Sequence, residues 1–243
     1  MIKIAIDAMG GDFAPEQQVK GAIEALGKSG DFSVILAGDE AALKAELSKY
    51  KYDSSRVEIV HAPEVITNDD VPTKAVKTKK NSSTVVAFEL LKEGRADALV
   101  SSGATGAVLT AAVLVLGRIK GISRPALCPR IPNLKGTGTL LCDCGANLDC
   151  KPVNLAHFAI MATAYAQAAY GMKNPKVGLL SNGTEDHKGS ELQHETFPLL
   201  KAADAAGRIR FVGNVEASQV FSGDVDVVVI EGAVTTEESR RCV

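Results

Sequence analysis

Tryptophan is absent from the 243 residues, and aromatic side chains make up only 5% of them. That scarcity argues against stacking platforms for single-stranded nucleic acid. A charge of one sign is lacking too, since 27 Lys and Arg face 29 Asp and Glu, leaving a formal charge of −2. A nucleic-acid binder carries a strong basic excess, so no nucleic-acid partner is expected. No apolar run approaches the ~18 uninterrupted residues of a membrane-spanning helix. The start, Met1 to Asp7, lacks the basic stretch, apolar run and small-residue cleavage site of a secretion signal. Five cysteines (Cys128, Cys142, Cys144, Cys150, Cys242) form an odd set without framework spacing. Such a set suits a reducing, cytoplasmic compartment. No C-x-x-C pair occurs among them, so zinc is not expected.

What is present is a rhythm. With 46% hydrophobic residues the chain has ample material for a core. Short β-branched runs alternate with helical periodicity: Ile2 to Ile6, Phe32 to Ala37, Val57 to Val60, Ala98 to Ser101, Leu140 to Cys142, Val177 to Leu180, Ile209 to Val212 and Val225 to Ile230 read as strands. Between them, Pro15 to Lys28 places Val19, Ala22, Ile23 and Leu26 on one helical face. Asp39 is placed to cap a helix carrying Leu43 and Leu47. Further helices are expected from Ser82 or Ser83 to Leu91, Thr105 to Leu116, Pro152 to Tyr170 and Ser190 to Ala203. This alternation predicts an α/β fold of three layers, a mostly parallel sheet with helices on both faces. No linker composition cuts the chain, so residues 1–232 read as one domain. Residues 233–243 read as a polar tail without an apolar face, and the chain is expected to stop short of its natural domain.

In an open parallel sheet, ligands bind beyond the carboxyl ends of the strands. Four expected strand ends are rich in glycine and small polar residues: Asp7 to Asp12, Ser101 to Ala107, Asp143 to Asn147 and Ser181 to Gly189. Glycine lets backbone N–H groups approach an anion, and a helix opening just afterwards adds its positive end. The bland alternative is that these glycines only make tight turns. Neither G-x-x-x-x-G-K-[ST] nor G-x-G-x-x-G is present, so ATP and NAD have no direct support. Lys188 lies in a glycine-bounded loop beside Asn182 and Glu185, where an ammonium can face a phosphate; its alternative is solvation. Asp7, Asp12 and Asp143 are placed to bind a metal, orient a lysine or cap a helix, with capping the plain reading for Asp12. Among the histidines, His187 is the better acid–base candidate, His157 reads as packed, and His61 and His194 show no partner. Cys144 as a nucleophile would need a base and a lowered pKa, so burial is its plainer role. Lys74, Lys77, Lys79 and Lys80, and then Arg118, Lys120, Arg124 and Arg130, read as solvated basic faces able to steer an acidic partner.

The ordered motifs resemble a known family. D-A-M-G-G-D-F-A-P from Asp7, R-P-A-L from Arg124, G-A-N-L-D-C-K-P from Gly145, G-T-E-D-H-K-G from Gly183, V-G-N-V-E-A from Val212 and G-D-V-D-V-V-V from Gly223 look like those of the PlsX-type phosphate acyltransferases. The resemblance covers nearly the whole chain up to about Gly232. It departs at Ala104, where the family carries asparagine, and from Ala233, where the family continues into further helices. It implies a fold like those of phosphate acetyltransferases and isopropylmalate dehydrogenases. It further implies transfer of a long acyl chain from acyl carrier protein to inorganic phosphate, in a cytoplasmic homodimer able to associate with the membrane surface.

For that chemistry, phosphate must be held and the oxyanion of a tetrahedral intermediate stabilised. Thiolate leaves readily because its thiol pKa is near ~8.5, and no metal or organic cofactor is needed. The catalytic candidates are Lys188 as counter-charge, with Asn147 and Asn182 as donors. The phosphate- or substrate-binding candidates are Asp7, Gly10, Gly11, Asp12, Ser101, Gly103, Thr105, Gly106, Asp143, Gly145, Gly183 and Glu185. Two alternatives remain: a nicotinamide-dependent dehydrogenase of the isopropylmalate type, and a non-catalytic module binding acyl carrier protein or a lipid surface.

Overall fold

The computed structural model describes residues 1–232, so the expected polar tail, 233–243, lies outside the described residues. The chain divides into two compact units, Met1–Arg118 and Ile119–Val243. Each carries its own sheet, where the residue pattern suggests one. The segment joining them, Gly117 to Pro129, is too short and too ordinary in composition to read as a linker.

The first unit has four parallel strands, β1 (Ile2–Asp7), β2 (Phe32–Gly38), β3 (Val57–His61) and β4 (Ala98–Val100), in the order β3-β2-β1-β4. Strand β2 is buried on both faces, and its period of two divides the core. Val34 and Leu36 pack with Val19, Ala22 and Leu26 of α1 (Glu16–Lys28) and with Leu43 and Leu47 of α2 (Glu40–Leu47). On the opposite side Ile35 and Ala37 meet Ala87 and Leu90 of a later helix. That later helix is preceded by α3 (Pro72–Thr78), which residue patterns do not reveal after the prolines and aspartates of residues 63–72. It is itself α4 (Ser83–Lys92). The Asp39 side chain accepts from the Ala42 amide at 2.8 Å, as its capping position predicts. The expected helix from Thr105 is α5 (Thr105–Ala111), widening over Ala112–Leu116 into a π-helical turn. Chain order turns back at β1: the connections run outwards to β2 and β3, then return to β4 on its other side. A crevice at such a reversal is where this architecture binds ligands.

The second unit carries β5 (Arg130–Ile131), β6 (Thr139–Cys142), β7 (Lys176–Leu180), β8 (Arg210–Val215) and β9 (Val227–Val229), ordered β5-β6-β9-β7-β8. All neighbours are parallel except β5, an antiparallel edge on β6. Helix α6 (Pro152–Tyr170) covers one face, with Leu155, Phe158, Ala159 and Ala162 against Leu140, Val177, Leu179 and Val227. Small alanines let this helix lie close to the sheet. Each large side chain so buried is worth roughly 1.5–3 kcal/mol. The helix closes at Gly171, whose φ of 65° supplies the left-handed cap. Helix α7 (Glu191–Ala205) and the short α8 (Ala217–Val220) complete the unit. Gly178 is required where β7 meets β8, since a Cβ there would fall 2.5 Å from Val215 Cγ1.

Candidate functional site

Of the four glycine-lined turns, two follow strands of the first unit and two follow strands of the second. The expectation of four turns on one sheet edge is corrected accordingly, because the strands that carry them belong to separate sheets.

In the first unit the turns after β1 and β4 meet at the reversal of strand order. Asp7 ends β1 with no solvent exposure, and its Oδ2 accepts from the hydroxyls of Thr84 and Ser101, both at 2.8 Å. Its other oxygen, Oδ1, is buried and has no partner among the described residues. Gly10 lies against this carboxylate: a Cβ would come 2.6 Å from Asp7 Oδ2 and 3.0 Å from the Gly103 nitrogen. Gln18 reaches back from α1 to donate to the Gly10 carbonyl at 2.5 Å and to Ser102 Oγ at 3.0 Å. Ser102 donates to the same carbonyl at 3.0 Å. Sequence reasoning misses Thr84, Gln18 and Ser102 as partners of this turn, because nothing local ties them to it. Two amides expected to face phosphate are spent internally: Gly10 N donates to the Asp7 carbonyl and Gly103 N to Ser101 Oγ. The Gly11 and Gly106 amides have no acceptor among the described residues. Asp12 is exposed and caps nothing, because α1 opens at Pro15 without a side-chain cap. Thr105 is the exposed first residue of α5. An apolar cleft of about 350 Å³ opens beside this cluster, with Ile4, Ile6, Ala25 and Val100 among its lining.

In the second unit Asp143 is wholly buried and takes three donors from the protein. Its Oδ1 accepts from Leu127 N at 2.7 Å, and Oδ2 from Asn147 N at 2.7 Å and Asn147 Nδ2 at 2.9 Å. Asn147 also donates through Nδ2 to the Pro125 carbonyl at 2.8 Å. Its amide group is therefore engaged in tying R-P-A-L to G-A-N-L rather than offered outward. Gly145 permits this loop at φ +93°. Burial, reinforced by the Asp143 carboxylate, pushes the Cys144 thiol above its ordinary value, the opposite of what a nucleophile needs.

The loop after β7 differs. Asn182 is exposed, and Lys188 is half-buried with its stem against Gly183, where a Cβ would fall 2.9 Å from Lys188 Cγ. The Lys188 ammonium has no hydrogen-bond or ion-pair partner among the described residues. Asn214, buried on β8, holds the loop from the neighbouring strand. Its Nδ2 donates to the Glu185 carbonyl at 2.8 Å and to the Lys188 carbonyl at 3.4 Å. Asn214 is visible in the sequence only as part of V-G-N-V-E-A. Beside the loop, a cleft of about 380 Å³ is lined by Ser181, Asn182, Gly189, Ser190, Gln193 and Glu231.

Several of the remaining charged candidates are spent on structure. Lys79 is no solvated lysine, since it pairs with Asp70 at 2.6 Å and donates to the Val65 carbonyl. Arg124 donates to the Asp149 carbonyl, and Arg130 lies over the Tyr170 ring at 4.5 Å. His61 accepts from Glu40 N at 3.2 Å, and the His194 ring contacts the His187 carbonyl at 2.8 Å. No three His, Cys, Asp or Glu side chains converge to hold a metal ion among the described residues. Nor is any helix among those residues long and apolar enough to cross a membrane.

Comparison with known proteins bears on what these clusters serve. The profile of a family described as "fatty acid synthesis protein" matches residues 2–237, running past Gly232 where the motif resemblance stops. A phosphate acyltransferase of Fusobacterium nucleatum is 52% identical over 231 residues, 95% of this chain and 69% of its own. One of Brevibacillus brevis is 49% identical over 96% of this chain and 68% of its own, and one of Clostridioides difficile 47% over 95% and 66%. The chain thus spans about two thirds of the length of the curated relatives it matches. Among solved structures, a phosphotransacetylase from Streptococcus pyogenes aligns with a TM-score of 0.71 at 17% identity, over 99% of this chain and 82% of that one. The EutD phosphotransacetylase from Staphylococcus aureus gives 0.67 at 19%, with the same coverage. At such identities the likeness is one of fold.

Proposed function

The chain belongs to the fatty acid synthesis protein family, whose named relatives are phosphate acyltransferases, and from that premise we propose that it transfers a long-chain acyl group from acyl carrier protein to inorganic phosphate. The product is an acyl phosphate for phospholipid synthesis. A phosphate oxygen attacks the thioester carbonyl, a C–O bond forms, the tetrahedral oxyanion collapses, and the C–S bond breaks to release carrier thiolate. Phosphate near neutral pH is already partly dianionic and thiolate is a good leaving group, so little proton transfer is required. Binding, alignment and charge stabilisation dominate the barrier.

The observation that carries this reading is the unpaired Lys188 ammonium on a loop fastened from β8 by Asn214. A loop so anchored fixes the backbone that carries the cation before substrate arrives, and a pre-positioned charge stabilises a developing anion with little reorganisation. Lys188 serves as the phosphate counter-charge, with the exposed amide of Asn182 as a donor beside it. Asn147 and Asp143 act as framework. The free amides of Gly11 and Gly106 remain available to an anion, while Gly10, Gly103 and Asp7 shape the first unit's turn. We place the protein in the cytoplasm as a homodimer, with peripheral contact to a membrane surface.

The test mixes the purified chain with acyl-carrier-protein thioester and phosphate and follows free carrier thiol. Phosphate-dependent thiol release is expected, and Lys188→Ala should lower it on the order of 100-fold, as for loss of one electrostatic stabiliser. Carrier binding without thiol release would overturn the reading in favour of a binding module. Unchanged turnover in Lys188→Ala would remove that residue from the mechanism.

A further inference from the structure

Two cysteines with no part in the proposed chemistry face each other across the β5–β6 ladder. The antiparallel register pairs Arg130 with Leu140 and Ile131 with Thr139. Continued outward, the same register sets Pro129 opposite Leu141 and Cys128 opposite Cys142. The Leu141 amide does donate to the Pro129 carbonyl, at 3.0 Å, so the register holds one pair beyond the strand, before the Cys144 amide shifts to the Leu127 carbonyl. Hydrogen-bonded and non-hydrogen-bonded pairs alternate along such a ladder, and Cys128–Cys142 falls in a non-hydrogen-bonded position. In a regular ladder such pairs have Cα atoms roughly 4.5 Å apart with side chains close, within the roughly 4.4–6.8 Å span a disulfide bridges.

The surroundings suit reaction. Cys142 is 1% exposed, whereas Cys128 is only half-buried, and both line a cleft of about 320 Å³ with Met161 and Tyr165. The neighbouring Cys142 thiol holds the Cys128 thiol below its ordinary value. The same neighbour, followed by burial, pushes Cys142 up. One thiol is thus partly open to solvent, and the other lies buried in the same cleft. Attacking and resolving thiols of exchange sites divide their roles in this way.

We propose that Cys128 and Cys142 form a thiol–disulfide exchange site that takes small disulfides of the oxidised-glutathione class. The Cys128 thiolate attacks one sulfur of oxidised glutathione, forming a mixed disulfide and expelling one glutathione thiolate. Cys142 gives up its proton and attacks the Cys128 sulfur, expelling the second. The protein loses two electrons and two protons, and oxidised glutathione gains both to become two molecules of glutathione. The new bond braces β5 on β6 one residue before Asp143, whose carboxylate secures Leu127 and Asn147.

The experiment equilibrates the full chain with mixtures of oxidised and reduced glutathione, traps free thiols with maleimide and maps the peptides by mass. A Cys128–Cys142 cross-link, lighter by two hydrogens, is expected to become the dominant species as the oxidised fraction rises. Cys144→Ser should leave it intact, Cys128→Ser should abolish it, and Cys142→Ser should leave glutathione stranded on Cys128. The proposal falls if both residues are recovered as maleimide adducts in excess oxidised glutathione. It falls equally if Cys142 links to another cysteine, or if glutathione stays on Cys128 in the unsubstituted chain.

Discussion

Asp7 has no exposed surface, yet only one of its two carboxylate oxygens has protein donors. Burying such a group is tolerable only while those donors remain, because an unpaired polar group in a dry site loses its hydration without return. Asp7→Ala is therefore expected to lower stability by about 2–4 kcal/mol, since it also leaves the Thr84 and Ser101 hydroxyls unanswered. Urea titration with unchanged slope would measure it, and a loss under ~0.5 kcal/mol would show that the cluster is indifferent to its carboxylate. Asn214 plays the corresponding part in the second unit, through backbone carbonyls instead of side chains. Asn214→Ala is expected to cost about 1–2 kcal/mol and to weaken phosphate-dependent thiol release by releasing Lys188 from its position. Stability loss with full activity would separate the anchor from the proposed chemistry.

At the scale of elements, α3 is, with the short α8, a helix that residue patterns did not reveal, and an ion pair spans it. Asp70 Oδ2 accepts from Lys79 Nζ at 2.6 Å across the helix and from Thr67 N at 2.9 Å ahead of it. The Lys79 ammonium first, and then the Thr67 amide, hold the Asp70 carboxyl below its ordinary 3.8. A carboxyl depressed by folding contributes stability that is fully present above the unfolded value and fades as pH falls through the folded one. Asp70→Asn should therefore lower the melting temperature at neutral pH, with the gap closing as pH falls below the ordinary carboxylate value. A gap that persisted in acid would assign the effect to packing instead. The turn after β1 is governed by space. A methyl at Gly10 would press on the Asp7 carboxylate and the Gly103 amide, so Gly10→Ala is expected to cost about 1–3 kcal/mol. By contrast Gly21 sits on a helical backbone with nothing within 4 Å of where a methyl would lie, so alanine there should gain up to ~1 kcal/mol.

For the molecule as a whole, the two units each hold their own buried cores: Val34, Leu36 and Leu43 in one, Leu140, Phe158 and Val227 in the other. Between them runs an exposed stretch from Gly117 to Gly121 that contains Arg118 and Lys120. Exposed backbone outside regular structure is where proteases cut first. Limited trypsin digestion should nick at Arg118 or Lys120 before any other site among residues 1–232, giving two fragments that each keep their helical circular dichroism. An initial cut inside α1 or α6, or fragments without helical signal, would show that the units do not stand on their own cores.

Much of this was legible in the residues. Strand and helix alternation, the Asp39 cap and the span of α6 from Pro152 to Tyr170 follow from periodicity and local chemistry, which act within a few residues. The family motifs were equally visible, being runs of consecutive residues. The sequence by itself thus determined the class of fold, the kinship and the turns worth inspecting. Tertiary structure decided what each turn does, because those roles depend on partners brought together from far along the chain. Asp7 meets Ser101, Asn147 meets Pro125, Asn214 meets Glu185, and Cys128 shares a cleft with Cys142. It also decided that the strands fall into two sheets, since the same local alternation is compatible with one sheet or two and only long-range pairing chooses between them.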